Sequence, residues 1–360
     1  TDGLGVKMSS ELQHAREQGR WTPALLGPNF VGHWVPARDL DTSFIPVEKL
    51  AAPAREGGTV ALLSQSGAFL LSRLSRNPRL PVGLALALGN QLDVALPDVL
   101  EALEAHPEFR VLGLYVEGFG SGELTATARV GQRLRAEGRT LLLYRAGRSE
   151  AGQAAAASHT GAIAGNQMVA HALLRRAGFC LTPTQQAFDA GLAWLGAYPD
   201  MRPGPVAVVT NAGFESVCAG DLLVSPLVSA SLEAVTMARL QALLEAEGLG
   251  GLVASRLPLD LTPMASEEGF LKAVDVLMGT AAKIVILGLV PFTRRLHTDG
   301  NQAIGFAQAL AAMAQRHGIA IGVVVDAGND YEPYRQAITS AGLPVFTRME
   351  DAIEGLKALS

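Results

Sequence analysis

The chain has 360 residues, of which 49% are hydrophobic, and a formal net charge of −5. This length and apolarity suffice for two or three domains with cores of their own. Lys and Arg are scattered along the chain, which argues against a nucleic-acid partner, and Cys180 and Cys218, the only cysteines, are too few for a disulfide scaffold and lie outside metal-binding spacings.

The composition predicts a soluble, cytoplasmic protein. No apolar run approaches the roughly 20 residues that span a bilayer, and the start lacks the charged-then-apolar pattern of a signal segment. Residues 1–5 are typical of a loop between a strand and a helix, and residues 10–18 are predicted to be helical. We therefore expect the first domain to be incomplete.

From Gly58 onward, short apolar segments alternate with longer segments of helical periodicity. This alternation is typical of βα units that build a parallel sheet. The predicted strands are residues 60–63, 83–88, 111–116 and 140–144, and helices are predicted at residues 98–105 and 124–136. Because the strands are continuously apolar, we expect burial on both faces of the sheet, as in a doubly wound α/β domain.

A second series of the same kind follows residues 198–205, a stretch rich in turn formers and a natural domain boundary. Its predicted strands are residues 206–210, 283–289 and 319–325. No internal repeat with a period of 20 to 50 residues occurs, which excludes a solenoid.

The segment Ser64-Gln65-Ser66-Gly67 follows a predicted buried strand and opens a helix. The unpaired amides of a helix N-terminus and the helix macrodipole favour a phosphate at such a place. Ser66 could instead serve only as a helix cap, and the sequence leaves both interpretations open.

Two further loops are expected to leave the same edge of the sheet. One contains Gly89, Asn90 and Asp93, and the other contains Glu117. In an open parallel sheet, ligands bind at this edge where the strand order reverses. A single carboxylate more often makes a structural hydrogen bond than takes part in chemistry, so Glu117 is a candidate with a structural alternative.

His159 lies beyond the fourth predicted strand, in Ser158-His159-Thr160-Gly161-Ala162. The small neighbours leave room for a large group to approach the imidazole, and the six other histidines have no comparable setting. The alternative is a loop histidine whose hydrogen bonds are only structural.

The second series repeats the anion-site pattern in Thr210-Asn211-Ala212-Gly213, where Asn211 could also be a helix N-cap. No GxxxxGK[ST] loop, GxGxxG fingerprint, GxSxG elbow or HExxH motif is present. These absences argue against a self-contained kinase, dehydrogenase, hydrolase or zinc peptidase. Any nucleotide is therefore expected to bind elsewhere.

Taken in order, these motifs resemble the nucleoside-diphosphate-forming (NDP-forming) acyl-CoA synthetases, which are relatives of succinyl-CoA synthetase. The resemblance extends over nearly the whole chain, and the histidine segment is its most specific part. The matching motifs are Gly27-Pro28-Asn29, Ser64-Gln65-Ser66-Gly67, Gly89-Asn90 with Asp93, Glu117, Ala146-Gly147-Arg148-Ser149-Glu150, Ser158-His159-Thr160-Gly161-Ala162 and Thr210-Asn211-Ala212-Gly213.

The resemblance implies an α/β fold with two flavodoxin-like, doubly wound parallel-sheet domains, at residues 53–200 and 201–360. Residues 1–52 would be the C-terminal remnant of a Rossmann-like CoA-binding domain. The ATP-grasp portion of the family is absent, so a partner subunit or a further domain would supply it together with ATP or ADP and Mg²⁺. The other expected ligands are CoA and a small carboxylic acid, and the assembly is expected to be an oligomer.

The resemblance also assigns roles to residues. His159 would carry phosphate between two distant sites by way of an acyl phosphate, and Glu117 would orient its ring. No metal ligand is assigned. The residues that would bind phosphate or substrate are Asn29, Ser64, Gln65, Ser66, Gly67, Gly89, Asn90, Asn211 and Gly213.

Three departures from the family pattern bear on substrate choice and on turnover in the second domain. Phe214 stands in place of a second glycine, Leu257 in place of the asparagine of Asn-Pro-x-Asp, and Phe30 in place of a small residue. The resemblance also leaves open an alternative function, a regulatory module of the same superfamily that senses CoA or acyl-CoA without turnover. His159 favours the enzyme, since a sensor has no need of a phosphate carrier, and the missing glycine fingerprint makes a dinucleotide-dependent oxidoreductase a weaker alternative.

Overall fold

A computed structural model of the chain describes residues 2–50, 58–154 and 167–360. The chain divides into two compact units, Thr1–Pro183 and Thr184–Ser360. Each unit is built around one sheet. Among the residues that the structure describes, no helix has both the length and the apolarity needed to cross a membrane.

The sheet of the first unit has seven strands. They are β1 (His33–Val35), β2 (Leu40–Asp41), β3 (Val60–Ser64), β4 (Val82–Ala87), β5 (Val111–Val116), β6 (Thr140–Arg145) and β7 (Cys180–Thr182). Their order is β2-β1-β4-β3-β5-β6-β7. Strands β3 to β7 pair in parallel, whereas β1 is antiparallel to both β2 and β4.

The helices of the first unit cover its sheet unequally. They are α1 (Asp2–Glu17), α2 (Gly67–Arg76), α3 (Leu96–Leu103), α4 (Glu123–Ala136) and α5 (Gln167–Arg176), and residues 150–154 are also helical. Alternate strand residues, such as Leu112 and Leu114, pack with leucines of α3, α4 and α5 into one buried core. The side chains between them, Tyr115 among them, point to the opposite face, where Phe69 of α2 lies.

The sheet of the second unit is entirely parallel. Its strands are β8 (Val206–Thr210), β9 (Leu259–Asp260), β10 (Ile284–Leu289), β11 (Ala320–Val325) and β12 (Val345–Phe346). Their order is β9-β8-β10-β11-β12. Both units thus contain the strand order 2-1-3-4-5 of a flavodoxin-like fold. The predicted α/β fold with two flavodoxin-like sheets is confirmed, and the Rossmann-like remnant at residues 1–52 stays a prediction.

The second unit begins with a helix that precedes the predicted boundary at residue 200. Its helices are α6 (Gln185–Ala197), α7 (Gly213–Leu222), α8 (Ala234–Ala246), α9 (Glu267–Leu277), α10 (Gly300–His317), α11 (Glu332–Ser340) and α12 (Met349–Ala358). Helix α6 packs on α12, and the Trp194 indole donates a hydrogen bond of 2.9 Å to the Ala352 carbonyl. The turn-rich stretch after α6 therefore lies within this unit.

The seven predicted strands are all present, with ends that differ by at most one residue from the prediction. Five short strands were not predicted: β1, β2, β7, β9 and β12. Each has only two or three residues, too few for a periodic pattern to appear. Residues 2–5 are helical rather than a loop and form the first turn of α1.

Candidate functional site

The first sheet reverses its strand order at β3. From β3 the chain passes to β4 on one side, and β5 then lies on the other side of β3. The loops after β3 and β5 consequently diverge and leave a crevice at the carboxyl edge, which is where α/β sheets bind ligands. Ser64-Gln65-Ser66-Gly67 follows one of these strands and Glu117 follows the other.

Gln65 connects these two loops. Its side-chain oxygen Oε1 accepts hydrogen bonds from the backbone amides of Glu117 (2.6 Å) and Gly118 (3.1 Å), and its Nε2 donates to the Gly118 carbonyl (2.8 Å). Gln65 is only 7% exposed. Its carboxamide therefore binds the backbone of Glu117 and Gly118. The predicted contact of Gln65 with phosphate stays a prediction.

The Glu117 carboxylate has a partner of its own. The hydroxyl of Tyr115 donates to Oε1 of Glu117 across 3.1 Å. The Tyr115 ring stacks on Phe69 of α2, with ring centres 4.0 Å apart and planes 19° apart. Residues 115 and 117 lie on the same face because side chains alternate along a strand.

The two serines of the motif build the turn into α2. Ser66 is the N-cap, and its Oγ accepts a hydrogen bond from the Phe69 amide (3.4 Å). Ser64 Oγ donates to the Ser66 carbonyl (2.6 Å) and accepts from the Ser66 amide (3.1 Å). The cap interpretation of Ser66 is thus confirmed, and anion binding at the same helix start stays a prediction.

The motifs around Asn29 and Asn90 meet in one place. The Asn90 amide donates to the Pro28 carbonyl and the Leu92 amide to the Gly27 carbonyl, both across 2.8 Å. Gly89 has a φ of +61°, and a Cβ there would lie 2.3 Å from the Pro28 oxygen, so only glycine fits. Asn29 and Asn90 are both exposed.

His159 lies outside the described residues, as does the whole segment 158–162. Hydrogen bonds join the described residues that flank this segment. Arg145, at the end of β6, donates to the side-chain oxygen of Gln167, and the side-chain Nε2 of Gln167 donates to the Gly147 carbonyl. Burial lowers the pKa of the Arg145 guanidinium, which lies 5.9 Å from the Phe119 ring centre. Sequence reasoning missed Arg145 and Gln167, since neither belongs to a motif of its own.

The second unit repeats the geometry of the first. Asn211 follows β8, and its side chain accepts from the Val290 amide (2.9 Å) and donates to the Val290 carbonyl (3.0 Å). Thr210 Oγ1 accepts from the Ala212 amide (3.2 Å), as Ser64 does from Ser66. The N-cap alternative for Asn211 is wrong, because Ala212 is the N-cap of α7 and the side-chain carboxamide of Asn211 is bonded to Val290, the residue after β10.

The surroundings of this second helix start are acidic. A Cβ on Gly213 would lie 3.4 Å from an Asp260 carboxylate oxygen. Glu215, in the first turn of α7, is 1% exposed, and neither of its oxygens accepts a hydrogen bond from a donor in the described residues. Burial, and then the neighbouring Asp326 and Glu350, raise its pKa to about 7. Asn211 and Gly213 as phosphate-binding residues stay a prediction, and these carboxyls count against it.

A groove of about 960 Å³ lies at the opposite edge of the second sheet. It is lined by residues of the stretch 197–203, by α10 and by the turn 341–343. None of the candidate residues contributes to it. Within the described ranges, no group of three or more His, Cys, Asp or Glu side chains could hold a metal ion.

Comparison with known proteins agrees with this geometry. The succinyl-CoA ligase-like flavodoxin domain family matches residues 57–193. The alpha subunit of the ADP-forming acetate–CoA ligase II of Pyrococcus furiosus is 27% identical over 344 residues, which are 93% of this chain and 70% of that protein. The ADP-forming acetate–CoA ligase I of Archaeoglobus fulgidus is 27% identical over 99% of this chain. The chain spans 48% of that relative's length.

A solved structure has the same fold. The dinucleotide-forming acetyl-coenzyme A synthetase 1 of Ca. Korarchaeum cryptofilum, in complex with phosphate and ADP, superimposes with a TM-score of 0.80. The match covers 98% of this chain and 73% of that one, at 20% identity.

The strand order and the loops at the switch point of the first sheet agree with the succinyl-CoA ligase-like flavodoxin domain, which matches residues 57–193. Over most of its length, the chain is similar to ADP-forming acetate–CoA ligases.

Proposed function

We propose that the chain is the alpha-type part of an NDP-forming acyl-CoA synthetase, which joins a small carboxylic acid to CoA through acyl phosphate and a phosphohistidine at His159. The observation that carries the proposal is the junction of Gln65 with Glu117, which sets a carboxylate beside the helix start at Ser66. The corresponding position in the second unit is Val290, so that unit lacks the carboxylate.

In the direction of synthesis, a nitrogen of neutral His159 takes the γ-phosphoryl group of ATP, and ADP leaves. The carboxylate of the acid then accepts the phosphoryl group from the histidine, which gives acyl phosphate and frees the imidazole. The CoA thiol loses its proton and attacks the acyl carbon, and phosphate leaves. Phosphohistidine requires positive potential around the phosphoryl group, and the start of α2 would supply it.

Glu117 would orient the His159 ring by accepting a hydrogen bond from its other nitrogen. The Gly67 amide and the Ser66 hydroxyl would hold the phosphoryl group, and Ser64, which is hydrogen-bonded to the Ser66 backbone, would shape the turn. Asn29, Gly89 and Asn90 would contact CoA or the acid, because their loops dock together beside this edge.

The remainder of the reaction needs other parts of the protein. The proposal assigns the nucleotide and Mg²⁺ to an ATP-grasp domain or subunit, in an oligomer, and assigns residues 1–52 to the CoA-binding domain. Residues 53–200 would be the ligase domain that carries the histidine, and residues 201–360 the second ligase domain. The Pyrococcus furiosus relative, which is named an alpha subunit, supports this division.

Phosphate labelling of the complete protein tests the proposal. With ATP labelled in the γ-phosphate and Mg²⁺, we expect acid-labile, base-stable label on His159. His159→Asn should abolish both labelling and CoA ligation, whereas His106→Asn, at the opposite edge of the same sheet, should retain both. Labelling and ligation that survive in His159→Asn would overturn the enzyme proposal, and CoA binding without either activity in the unaltered protein would support a regulatory sensor.

A further inference from the structure

Tyr115 packs against aromatic side chains on one face of the first sheet and contacts Glu117 through its hydroxyl. Its ring is held by the stack on Phe69, and the ring of Tyr144 lies 5.8 Å away on β6. The Arg73 guanidinium lies over the Phe69 ring, 4.5 Å from its centre. A ring packed in this way has little rotational freedom, so the direction of its hydroxyl is set by the fold.

The Tyr115 hydroxyl stays protonated and donates a hydrogen bond to the Glu117 carboxylate. The two oxygen atoms are 3.1 Å apart. Burial, and then the charge of Glu117, raise the pKa of Tyr115 far above its usual value, so the hydroxyl keeps its proton at every pH at which an enzyme is assayed. A hydrogen bond to an ionised acceptor is roughly twice as strong as one between neutral groups.

Glu117 is therefore fixed at two points by two different residues. Gln65 holds the backbone of the loop through the amides of residues 117 and 118, and Tyr115 holds one carboxylate oxygen. The Gln65 contact alone leaves the Glu117 side chain with three rotatable bonds, and the tyrosine contact restricts them to one direction.

We infer that Tyr115 is a positioning residue, which sets the direction of the Glu117 carboxylate and thereby the alignment of the phosphate-carrying histidine. This inference rests on the proposed function and extends it to a residue that belongs to none of the motifs. It also gives the aromatic stack a role, because Phe69, two residues after Gly67 at the start of α2, couples the helix that would hold phosphate to the strand that carries Glu117.

The test compares two tyrosines of the same cluster in the complete protein with its ATP-grasp portion. Tyr115→Phe keeps the stack and removes the donor, so we expect single-turnover phosphorylation of His159 to slow about tenfold. The KM for ATP should stay unchanged, because nucleotide binding is assigned elsewhere. Tyr144→Phe removes a hydroxyl from the neighbouring ring and should label at the normal rate, and thermal unfolding should confirm that both variants are folded.

A double-mutant cycle separates positioning from a general structural effect. In a Glu117→Ala background, Tyr115→Phe should cause no further loss, because the carboxylate on which it acts is gone. An equal loss in both backgrounds, or equal rates for Tyr115→Phe and Tyr144→Phe, would overturn the positioning role while the proposed function stands. An unaltered protein that never acquires label on His159 would overturn the proposed function and the positioning role with it.

Discussion

The Glu117 amide donates to the side-chain oxygen of Gln65 across 2.6 Å, which joins the loop after β5 to the loop after β3. The second unit contains the same type of link between Asn211 and Val290. In both units a carboxamide after the first parallel strand binds the backbone after the third. The units differ in the residue that is held, a glutamate in one and a valine in the other, and this difference locates the proposed chemistry in the first unit.

Removal of the Glu117 carboxylate should slow phosphoryl transfer without unfolding the chain. For Glu117→Ala we expect His159 phosphorylation to fall by a factor on the order of 10², a typical effect of losing a group that supports acid–base chemistry. Glu108→Ala, an exposed glutamate at the opposite edge of the sheet, is the control. Rapid-quench labelling measures both rates, and a normal rate in Glu117→Ala would mean that this carboxylate is structural.

Loss of the Gln65 side chain should lower the free energy of unfolding as well as the rate of His159 phosphorylation. Gln65→Ala leaves two amides and one carbonyl at residues 117 and 118 without their partner. Because each buried polar group that lacks a partner costs about 1–3 kcal/mol, we expect the free energy of unfolding to fall by about 2 kcal/mol or more. Denaturant titration measures the change, and Gln13→Ala, on the exposed surface of α1, should leave the midpoint in place. A neutral Gln65→Ala would show that water replaces the amide.

The stability of the chain should decrease as the pH rises through the range from about 4.5 to about 7. Burial and the neighbouring Asp326 and Glu350 raise the pKa of Glu215 from 4.5 to about 7. Within this window the folded chain keeps a proton that the unfolded chain has lost, so stability falls with pH and is lowest above pH 7. The shift corresponds to a loss on the order of 3 kcal/mol.

Glu215→Gln should remove most of this dependence, because a neutral amide carries no charge to desolvate. We expect it to unfold at a higher temperature than the unaltered chain at pH 8, with a smaller difference at pH 5. Asp221→Asn, on the exposed side of the same helix, is the matched control. If the melting temperatures of Glu215→Gln and the unaltered chain change with pH in the same way, the expected linkage is contradicted.

The packing of α6 on the second sheet can be tested at Gly322. A Cβ at this position of β11 would lie 2.2 Å from the Trp194 ring. Gly322→Ala must therefore displace the indole, and overpacking of this kind costs about 1–3 kcal/mol. Gly305→Ala, where a Cβ would meet nothing within 4 Å, lies inside α10 and should stabilise the chain by about 0.5–1 kcal/mol. Calorimetry distinguishes the two, and equal melting temperatures would argue against the contact between α6 and β11.

The long strands and the helix starts could be predicted because their signals are local. Strands such as Val111–Val116 and Val206–Thr210 are continuous apolar segments, and the cap at Ser66 depends on residues three positions apart. The two-residue strands β9 and β12 have no such signal, since each exists only through pairing with a longer neighbour. The packing of α6 in the second unit has no local signal either, because its partner α12 lies at the other end of that unit.

The sequence by itself determined the α/β class and the order of the motifs, because apolar periodicity and motif spacing are properties of the linear chain. Tertiary structure decided how the site is held together. Gln65 and Glu117 are 52 residues apart, and Asn211 and Val290 are 79 apart. The reversal of strand order places β3 beside β5 and β8 beside β10, which brings these residues into hydrogen-bonding distance. The acidic surroundings of Gly213 and the tyrosine donor to Glu117 arise in the same way, from side chains that become neighbours when the strands align.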